Sequence, residues 1–327
     1  MRTVLKHSST PDAIEQAARI IKDGGLVAFP TETVYGLGGN ALCSAACAKI
    51  YAAKGRPSDN PLISHISDAA QLAELVSHVP AKAQKLIDAF WPGPLTIIFP
   101  CKNTPGQTIG IRMPQNPVAL ALITHAGVPI AAPSANISGR PSPTTAAHVL
   151  TDLDGKVDMI LDGGMCQHGL ESTVIDCTVE PPTILRPGSV TKEMIEAHIG
   201  PVNVTTEAGA DEAPKAPGMK YKHYAPQAVL TVVRGRAEDV RTAITRLAKD
   251  STAKSVGIMA TSSYEGFTTL LMGNTTEEIA AGLFALLRKC DEMGLAEVFV
   301  EGVDEAGLGA AIMNRLEKAA AYNIVEV

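Results

Sequence analysis

Two cations, a glycine and an amide lie within seven residues of one another, in the segment from Lys54 to Asn60. Pro57 and Pro61 stiffen the backbone of this turn. A rigidly presented cation loses less entropy when it binds an anion, and Arg can pair two N–H donors with phosphate or carboxylate oxygens. The segment therefore favours a polyphosphate or carboxylate site. For these residues alone, the alternative is a surface loop with solvated charges.

Similar polar segments recur along the chain, each beside an apolar run that is typical of a β-strand. They are residues 30–38, 109–114, 132–136 and 171–173. Loops at the strand ends of an open α/β sheet usually assemble its ligand site. We therefore expect these segments and the Lys54 turn to form a site together.

The remaining polar candidates, in these segments and beside them, suit anion binding or hydrogen bonding, and none is an evident nucleophile or general base. The cations are Lys54, Arg56, Arg112 and Arg186, the hydroxyls are Thr31, Thr33, Thr108, Ser134, Ser142 and Ser172, and the amides are Asn60 and Asn136. This set suits attack by an already ionised carboxylate or carbamate on a nucleotide phosphate. In such a reaction the protein need only align the reactants and stabilise the developing charge.

Other kinds of catalytic site find less support in the sequence. The glycines of residues 36–39 and 307–309 do not fit the G-x-G-x-x-G dinucleotide fingerprint, and no Walker A, H-E-x-x-H or G-x-S-x-G motif is present. Cys166 and His168 are two potential metal ligands without others at metal spacing, so a loop is the simpler interpretation. Ser172 follows His168 by four residues, but no third group that would orient the histidine is evident.

Composition narrows the class of protein. A net charge of −6 and a pI near 5.8 argue against broad, non-specific nucleic-acid binding, although a local basic cleft is compatible with them. No apolar run reaches the roughly 18 residues of a membrane span, and the N-terminus has no signal-peptide core. The six cysteines lack paired metal-ligand spacing, so reduced structural thiols are expected. These features predict a cytoplasmic protein.

Hydrophobic periodicity predicts alternating helices and strands over the first 200 residues. The predicted helices are residues 12–22, 45–53, 69–76, 81–90 and 118–125, and the predicted strands are 26–29, 62–66, 95–99, 108–112, 130–132, 159–161, 173–176 and 184–186. Residues 31–39 are predicted to be a loop. Too few residues separate 95–99 from 108–112 for a crossover helix, so the sheet should be mixed rather than purely parallel.

A change of composition near Pro201 divides the chain. The prolines and small residues up to Pro226 are typical of a linker. A linker that only joined two domains would not require a run of polar and aromatic side chains. This segment contains Lys220, Tyr221, Lys222, His223 and Tyr224. We predict a catalytic domain over residues 1–200, a linker or lid over 201–228 and a small Rossmann-like α/β domain over 229–327.

The ordered motifs resemble those of one enzyme family. They are Pro-Thr-Glu-Thr-Val-Tyr-Gly-Leu-Gly, Lys-Gly-Arg-Pro-x-x-Asn-Pro-Leu, Trp-Pro-Gly-Pro-Leu-Thr, Arg-Met-Pro, Ala-Pro-Ser-Ala-Asn-x-Ser-Gly, Glu-Ser-Thr-Val and Leu-Arg-Pro-Gly. Over about residues 10–200 the chain strongly resembles the YrdC-type threonylcarbamoyl-AMP synthases. Lys-His-Tyr-Ala-Pro and the later Gly-Leu-Gly-Ala-Ala-Ile-Met-Asn-Arg are similar to the long, two-domain branch of that family.

The resemblance implies a fold and a reaction. The fold is α/β, with an open, twisted mixed sheet and flanking helices, followed by a smaller C-terminal Rossmann-like domain. The reaction is L-threonylcarbamoyladenylate synthesis from L-threonine, bicarbonate or CO2, and ATP, with Mg2+ accompanying ATP and pyrophosphate released. The product would pass to a tRNA threonylcarbamoyl transferase, which modifies tRNA next to the anticodon. Contact with tRNA itself is possible but not required.

The resemblance also implies roles for individual residues. L-Threonine and its carbamate would bind to Thr33, His65, Arg112, the Ala132 backbone and Ser172. ATP would bind to Arg56, Asn60, Thr108, Ser134, Ser142, Arg186 and Tyr224. Lys54, Arg56 and Asn136 would be the catalytic residues, with Lys54 and Asn136 contacting phosphates or the divalent cation. Without the resemblance, His65 on its apolar strand would be interpreted as a packed core histidine.

Two other classes of function stay open at this point. An RNA-binding module could recognise tRNA directly through the cleft at Lys54 and Arg56, although the acidic balance and the absence of an RNA-recognition motif argue against it. An NAD-dependent oxidoreductase built on the C-terminal domain is less favoured still. Release of pyrophosphate without RNA separates the synthase from the RNA-binding module, and NAD binding tests the oxidoreductase.

Overall fold

A computed structural model describes residues 2–104, 106–207, 209, 214–220 and 223–327. Tyr221 and Lys222 of the predicted lid, and residues 208 and 210–213 of the predicted linker, lie outside the described residues. The chain forms two compact units. The first comprises Met1–Ser138 with Ser142–Lys220, and the second comprises Gly139–Pro141 with Tyr221–Val327.

The first unit is built on a mixed sheet of eleven strands among the described residues. In chain order they are β1 (Val4–His7), β2 (Val27–Phe29), β3 (Gly36–Asn40), β4 (Ile63–His65), β5 (Leu95–Pro100), β6 (Thr108–Arg112), β7 (Ile130–Ala131), β8 (Met159–Asp162), β9 (Thr173–Asp176), β10 (Thr183–Arg186) and β11 (Asn203–Val204). Their order across the sheet is β1-β8-β2-β3-β7-β4-β6-β5-β9-β10-β11. The sheet contains both parallel pairs, such as β4 with β6, and antiparallel pairs, such as β5 with β6, which confirms the predicted mixed sheet.

Helices flank this sheet. They are α1 (Ala13–Lys22), α2 (Ser44–Lys54), α3 (Leu72–Leu75, preceded by a 3-10 turn at Ala69–Gln71), α4 (Ala81–Phe90), α5 (Pro117–Ala126), α6 (Ala146–Leu153) and α7 (Lys192–Ile199). Helix α5 has strong local signals: the Asn116 side chain accepts hydrogen bonds from two backbone N–H groups of the first turn, Pro117 is its first residue, and Gly127 ends it at φ 65°. Helix α1 packs against α5 through small buried residues such as Ala17.

The prediction of a loop over residues 31–39 is wrong for residues 36–39, because these residues belong to β3, which pairs antiparallel with β2. Glycine-rich sequence carries little strand signal. At Gly38, however, a Cβ atom would lie only 2.8 Å from Phe29 and from Ile130. The glycines are needed because two strands and their side chains approach the backbone closely. Strands β1 and β11 and helices α6 and α7 also lie outside the predicted elements.

The second unit contains a parallel sheet of five strands in its described residues. Its elements are β12 (Val229–Arg234), α8 (Ala237–Asp250), β13 (Val256–Ala260), β14 (Thr268–Leu271), α9 (Thr276–Glu292), β15 (Glu297–Glu301), α10 (Gly309–Ala319) and β16 (Ile324–Glu326). The strand order is β14-β13-β15-β12-β16, and every pairing is parallel. This confirms the predicted smaller Rossmann-like α/β fold. In the described part of the chain, no helix has the length and apolar character needed to cross a membrane.

Candidate active site

Strands β4, β6 and β7 bring three of the predicted amino-acid ligands together. His65 pairs with Arg112 in the parallel β4–β6 register and with Ile130 in the antiparallel β4–β7 register. Immediately after β7, the Ala132 backbone N–H donates to the Ile63 carbonyl at 2.9 Å. The side chains of His65 and Arg112 are buried, so this end of the site is shielded from water.

Arg112 is held by three hydrogen bonds. Its Nε donates to the Gly93 carbonyl at 3.1 Å, Nη1 to the Thr33 hydroxyl at 2.9 Å and Nη2 to Glu32 Oε1 at 2.5 Å. The Thr33 hydroxyl lies 2.8 Å from that of Thr31, which donates to the Val34 carbonyl. The predicted contributors Thr33 and Arg112 therefore meet directly, although 79 residues separate them.

Glu32 is a functional candidate that the sequence prediction missed. Its carboxylate is buried, and Oε2 accepts a 3.3 Å hydrogen bond from the Asn116 backbone N–H. Burial by itself raises the pKa of Glu32, but the positive charge and hydrogen bond of Arg112 outweigh this effect and hold the pKa below 4.5. Its position between Thr31 and Thr33 was the available signal, because a carboxylate inside an otherwise neutral buried motif requires a charged partner.

His65 is held in its neutral form. Burial, reinforced by the nearby charge of Arg112, lowers its pKa to about 3. Its ring contacts Phe29 edge-to-face at 6.3 Å. Within the described residues, His65 Nδ1 is buried without a hydrogen-bond partner. Buried polar atoms nearly always have a partner, so this nitrogen indicates the place of a ligand or a water molecule.

Ser172 and Arg186 form a second buried cluster. The Ser172 hydroxyl lies 2.8 Å from the Thr96 hydroxyl, and it accepts a 3.1 Å hydrogen bond from Arg186 Nη2. Arg186 Nε also donates to the Ser172 carbonyl at 3.0 Å. The parallel β5–β9 pairing and the antiparallel β9–β10 pairing bring these three residues side by side.

Lys54 is buried at the end of α2, where Gly55 turns the chain with φ 61°. Its ammonium group donates to the carbonyl oxygens of Ser134 and Asn136, each at 2.5 Å, and to Asn136 Oδ1 at 3.3 Å. The Ser134 hydroxyl donates to the same Asn136 oxygen at 2.5 Å. The cation thus fixes the predicted Ser134 and Asn136 segment next to its own turn.

Arg56 and Asn60 organise the turn itself. Arg56 Nε donates to the Asn60 carbonyl at 3.1 Å, and Nη2 donates to Asn60 Oδ1 at 2.7 Å and to the Pro61 carbonyl at 2.9 Å. The Asn60 side chain is buried, and its amide Nδ2 has no hydrogen-bond partner among the described residues. A buried N–H donor of this kind is well suited to a phosphate oxygen.

Further hydrogen bonds link the remaining loops to this region. The Tyr35 backbone N–H donates to the Pro143 carbonyl at 2.9 Å, and Gly36 forms an isolated antiparallel β-bridge with Ser134. The Ser142 hydroxyl donates to Glu171 Oε1 at 2.6 Å, which links this predicted ATP ligand to the polar segment at residues 171–173.

Of the remaining predicted ATP ligands, Thr108 lies on β6 and Tyr224 lies in the second unit. Thr108 is exposed at the start of β6, four residues before Arg112, which corresponds to about 13 Å along the strand. Tyr224 belongs to the second unit, where its ring stacks on Phe284 at a centroid distance of 5.2 Å and Arg315 lies 5.7 Å from the ring centre. Its backbone has the left-handed φ of 64°.

Comparison with known proteins agrees with this fold. Residues 19–188 match the Sua5/YciO/YrdC family model, described as telomere recombination, and residues 190–321 match the C-terminal domain of threonylcarbamoyl-AMP synthase. The fold and site thus define a YrdC-type protein with an additional C-terminal domain. Threonylcarbamoyl-AMP synthase of Pyrococcus abyssi is 48% identical over 325 residues and covers 96% of each chain. The Bacillus subtilis enzyme is 46% identical over 333 residues, 97% of this chain and 96% of that one.

The solved structures give the same result. A crystal structure of P. abyssi Sua5 in complex with L-threonine superimposes with a TM-score of 0.94 at 46% identity, covering 100% of this chain and 99% of the other. The chain belongs to the threonylcarbamoyl-AMP synthase family. The predicted enzyme class and L-threonylcarbamoyladenylate synthase function are confirmed by these matches.

Proposed function

We propose that this site makes threonylcarbamoyl-AMP and pyrophosphate from L-threonine, bicarbonate or CO2, and ATP. The observation that carries the proposal is the buried His65 Nδ1, which has no partner among the described residues, on a residue that pairs with Arg112 across β4 and β6 and whose pKa the Arg112 charge helps to lower. A cation and a neutral hydrogen-bonding nitrogen, side by side and shielded from water, suit a small amino acid that carries a carboxylate and a hydroxyl.

In this proposal, L-threonine and its carbamate occupy the buried end of the site. The ligands are Thr33, His65, Arg112, the Ala132 backbone and Ser172. Four of these side chains are almost fully buried, so their hydrogen bonds to a substrate would form in a low-dielectric environment, where they are stronger than in water. The threonine complex of the P. abyssi relative supports an amino-acid site in this fold.

ATP would bind at the other end of the site. Its proposed ligands are Arg56, Asn60, Thr108, Ser134, Ser142, Arg186 and Tyr224, with Lys54, Arg56 and Asn136 as catalytic residues. The hydrogen bonds that fix Lys54 and Arg56 before the nucleotide arrives reduce the entropy lost on binding. Mg2+ binds triphosphates mainly through phosphate oxygens and water, so it would enter with ATP as part of the substrate, with Asn136 nearby.

The bond-forming step needs little acid–base catalysis. An oxygen of the threonine carbamate, which is already an anion, attacks the α-phosphorus of ATP, and the bond to pyrophosphate breaks. Neither His65, with a pKa near 3, nor Glu32, with its lowered pKa, is suited to accept a proton near neutral pH. Alignment and charge stabilisation by the buried cations would therefore supply most of the rate enhancement.

Family membership and the composition of the chain support a wider assignment. The labile adenylate would pass to a tRNA threonylcarbamoyl transferase in the cytoplasm, with direct tRNA contact not required. Residues 1–200 would carry the reaction, residues 201–228 would act as a linker or lid over the nucleotide, and residues 229–327 would form the C-terminal domain. All six cysteines are free thiols, which agrees with a reducing compartment.

Pyrophosphate release from the full-length protein tests the proposal. The complete mixture contains ATP, Mg2+, L-threonine and bicarbonate but no RNA, and each component is omitted in turn. We expect release that requires both threonine and bicarbonate, with the adenylate identified by mass spectrometry. A protein that releases no pyrophosphate but binds tRNA would instead be the RNA-binding module considered above.

A further inference from the structure

Glu32 is not among the proposed substrate ligands. In the described part of the chain, however, its carboxylate is the only charged group to which Arg112 donates a hydrogen bond. Resting on the proposed function, we propose that Glu32 is a positioning residue. It orients the Arg112 guanidinium for the threonine carboxylate, and it neutralises Arg112 so that phosphates do not occupy the amino-acid end of the site.

The orientation follows from the hydrogen-bond count. A guanidinium has five N–H donors in one plane. Gly93, Thr33 and Glu32 accept three of them, one on each nitrogen, which leaves two for a ligand. Three acceptors on different sides fix the plane of the group, so the two remaining donors have defined directions.

Glu32 is itself fixed from two sides. Its Oε2 accepts from the Asn116 backbone N–H at 3.3 Å, and Asn116 caps α5 with its own side chain. The Glu32 backbone carbonyl accepts from the His168 N–H at 2.8 Å. Arg112 is therefore connected through Glu32 to a helix end and to the loop that precedes Ser172. Because both carboxylate oxygens of Glu32 accept a hydrogen bond, rotation of its side chain would break at least one of them.

The charge balance gives Glu32 a role beyond packing. A buried ion pair contributes little net stability compared with apolar residues of similar size, so stability alone gives a weak reason for placing one here. Paired with Glu32, Arg112 is close to neutral as a unit. A monoanionic carboxylate can still use its two remaining donors, whereas a phosphate with two or more negative charges would be repelled by Glu32 at short range. Phosphates are thereby directed to the Lys54 and Arg56 end.

The test uses full-length Glu32→Gln, Glu32→Asp and Glu32→Ala. The matched control is Glu15→Gln, which breaks the exposed pair with Arg19 on α1. Steady-state pyrophosphate release gives kcat and the KM values for threonine and ATP, and inorganic phosphate is added as an inhibitor against threonine. Thermal melting of each variant separates folding from binding, and the nearly isosteric Gln variant keeps the test available if the Ala variant does not fold.

We expect Glu32→Ala to raise the KM for threonine by about ten-fold or more, the effect of losing a hydrogen bond to a charged group, while the KM for ATP changes less than about two-fold. Glu32→Gln keeps one acceptor for Arg112 but not the charge. It should therefore raise the threonine KM less, and phosphate should become a competitive inhibitor against threonine, which it is not in the wild type. Glu32→Asp should restore resistance to phosphate.

Two results would overturn the inference. One is a parallel rise of both KM values together with a lower melting temperature, which describes a purely structural residue. The other is an unchanged threonine KM and unchanged phosphate sensitivity in folded Gln and Ala variants. Failure of the proposed function is distinguishable, because the wild-type enzyme would then release no threonine-dependent pyrophosphate. In that case the assignment of Glu32 falls with the function.

Discussion

The two ends of the site hold their arginines in different ways. At the buried end, Arg112 donates to the Glu32 carboxylate, whereas at the turn after α2 the half-buried Arg56 donates to carbonyl and amide oxygens of Asn60 and Pro61. The Glu32 carboxylate positions Arg112 and also balances its charge, whereas the neutral oxygens of Asn60 and Pro61 hold Arg56 within its own turn. The first arrangement suits a substrate carboxylate, and a rigidly held guanidinium on a half-buried turn suits a polyphosphate.

Burial explains why the two ends need different partners. A guanidinium removed from water must be compensated, or its desolvation opposes folding. Arg112 is 3% exposed and lies beside a neutral, buried His65. Arg56 lies on a turn with more access to solvent. The following predictions test this difference, from the largest expected effect to the smallest.

Arg56→Ala should abolish adenylate formation while leaving the protein folded. Loss of a charge-assisted hydrogen bond costs roughly 1.5–3 kcal/mol in binding and more where it acts on the transition state, so we expect kcat/KM for ATP to fall by at least about 100-fold. The measurement is pyrophosphate release together with a circular dichroism spectrum. Lys49→Ala is the matched control, because Lys49 is an exposed cation of α2, the helix that precedes the Arg56 turn, and its ammonium group donates to the Gly24 carbonyl. Near-wild-type turnover in folded Arg56→Ala would refute a phosphate role for this end.

Threonine should be preferred over serine by about ten- to two-hundred-fold in kcat/KM. Apolar residues such as Ile130 are buried around β7, where we expect the threonine methyl to pack, and one methyl in an apolar pocket is worth about 1–3 kcal/mol. The two amino acids are compared in the same assay at saturating ATP. Equal values would mean that the site recognises the carboxylate and hydroxyl but offers no surface to the methyl group.

Acid should lower the free energy of unfolding of the protein, because His65 is buried in its neutral form. Its pKa is about 3 in the folded protein and near 6.5 in the unfolded chain, so between these values the unfolded chain binds a proton that the folded protein does not. The free energy of unfolding should therefore fall as the pH is lowered from 6.5 toward 3, by an amount on the order of a few kcal/mol.

Urea unfolding at pH 7.5 and pH 5 measures this effect. His65→Gln should show a smaller loss between the two pH values than the wild type, and His125→Gln, which changes an exposed histidine, should behave like the wild type. Glu32 does not enter this window, since its lowered pKa matters only below about 4.5, where protonation removes stability as the pH falls. The same pH dependence in His65→Gln and wild type would contradict a buried neutral imidazole.

Tyr224→Ala should have the smallest effect on turnover. If the linker acts as a lid, this variant should raise the KM for ATP a few-fold and release adenylate to hydrolysis faster. Phe284→Ala is a useful control, because it removes the ring that Tyr224 stacks on in the second unit but leaves Tyr224 in place. Equal ATP affinity and equal adenylate retention in wild type and Tyr224→Ala would reduce the linker to a tether.

Local signals in the sequence determined many of the helices and strands of this protein, although α6, α7, β1 and β11 were not predicted. Helix α4 has the predicted bounds Ala81–Phe90, and β6 has the predicted bounds Thr108–Arg112. Periodicity and end signals act within a few residues, so they can be recognised without knowledge of the fold. For the same reason, the polar motifs could be recognised as candidate site segments, and their resemblance to a family indicated the chemistry.

Only the tertiary structure decided how those segments meet. The contact of Arg112 with Glu32 spans 80 residues, and the neutral state of His65 depends on burial by three strands. Strand β3 exists because Gly38 fits between Phe29 and Ile130, which a glycine-rich sequence does not reveal. Residue type and local spacing determine which helix, strand or turn a segment can form. Long-range packing determines which charges are compensated, because the desolvation and pairing of a charge depend on every chain segment around it.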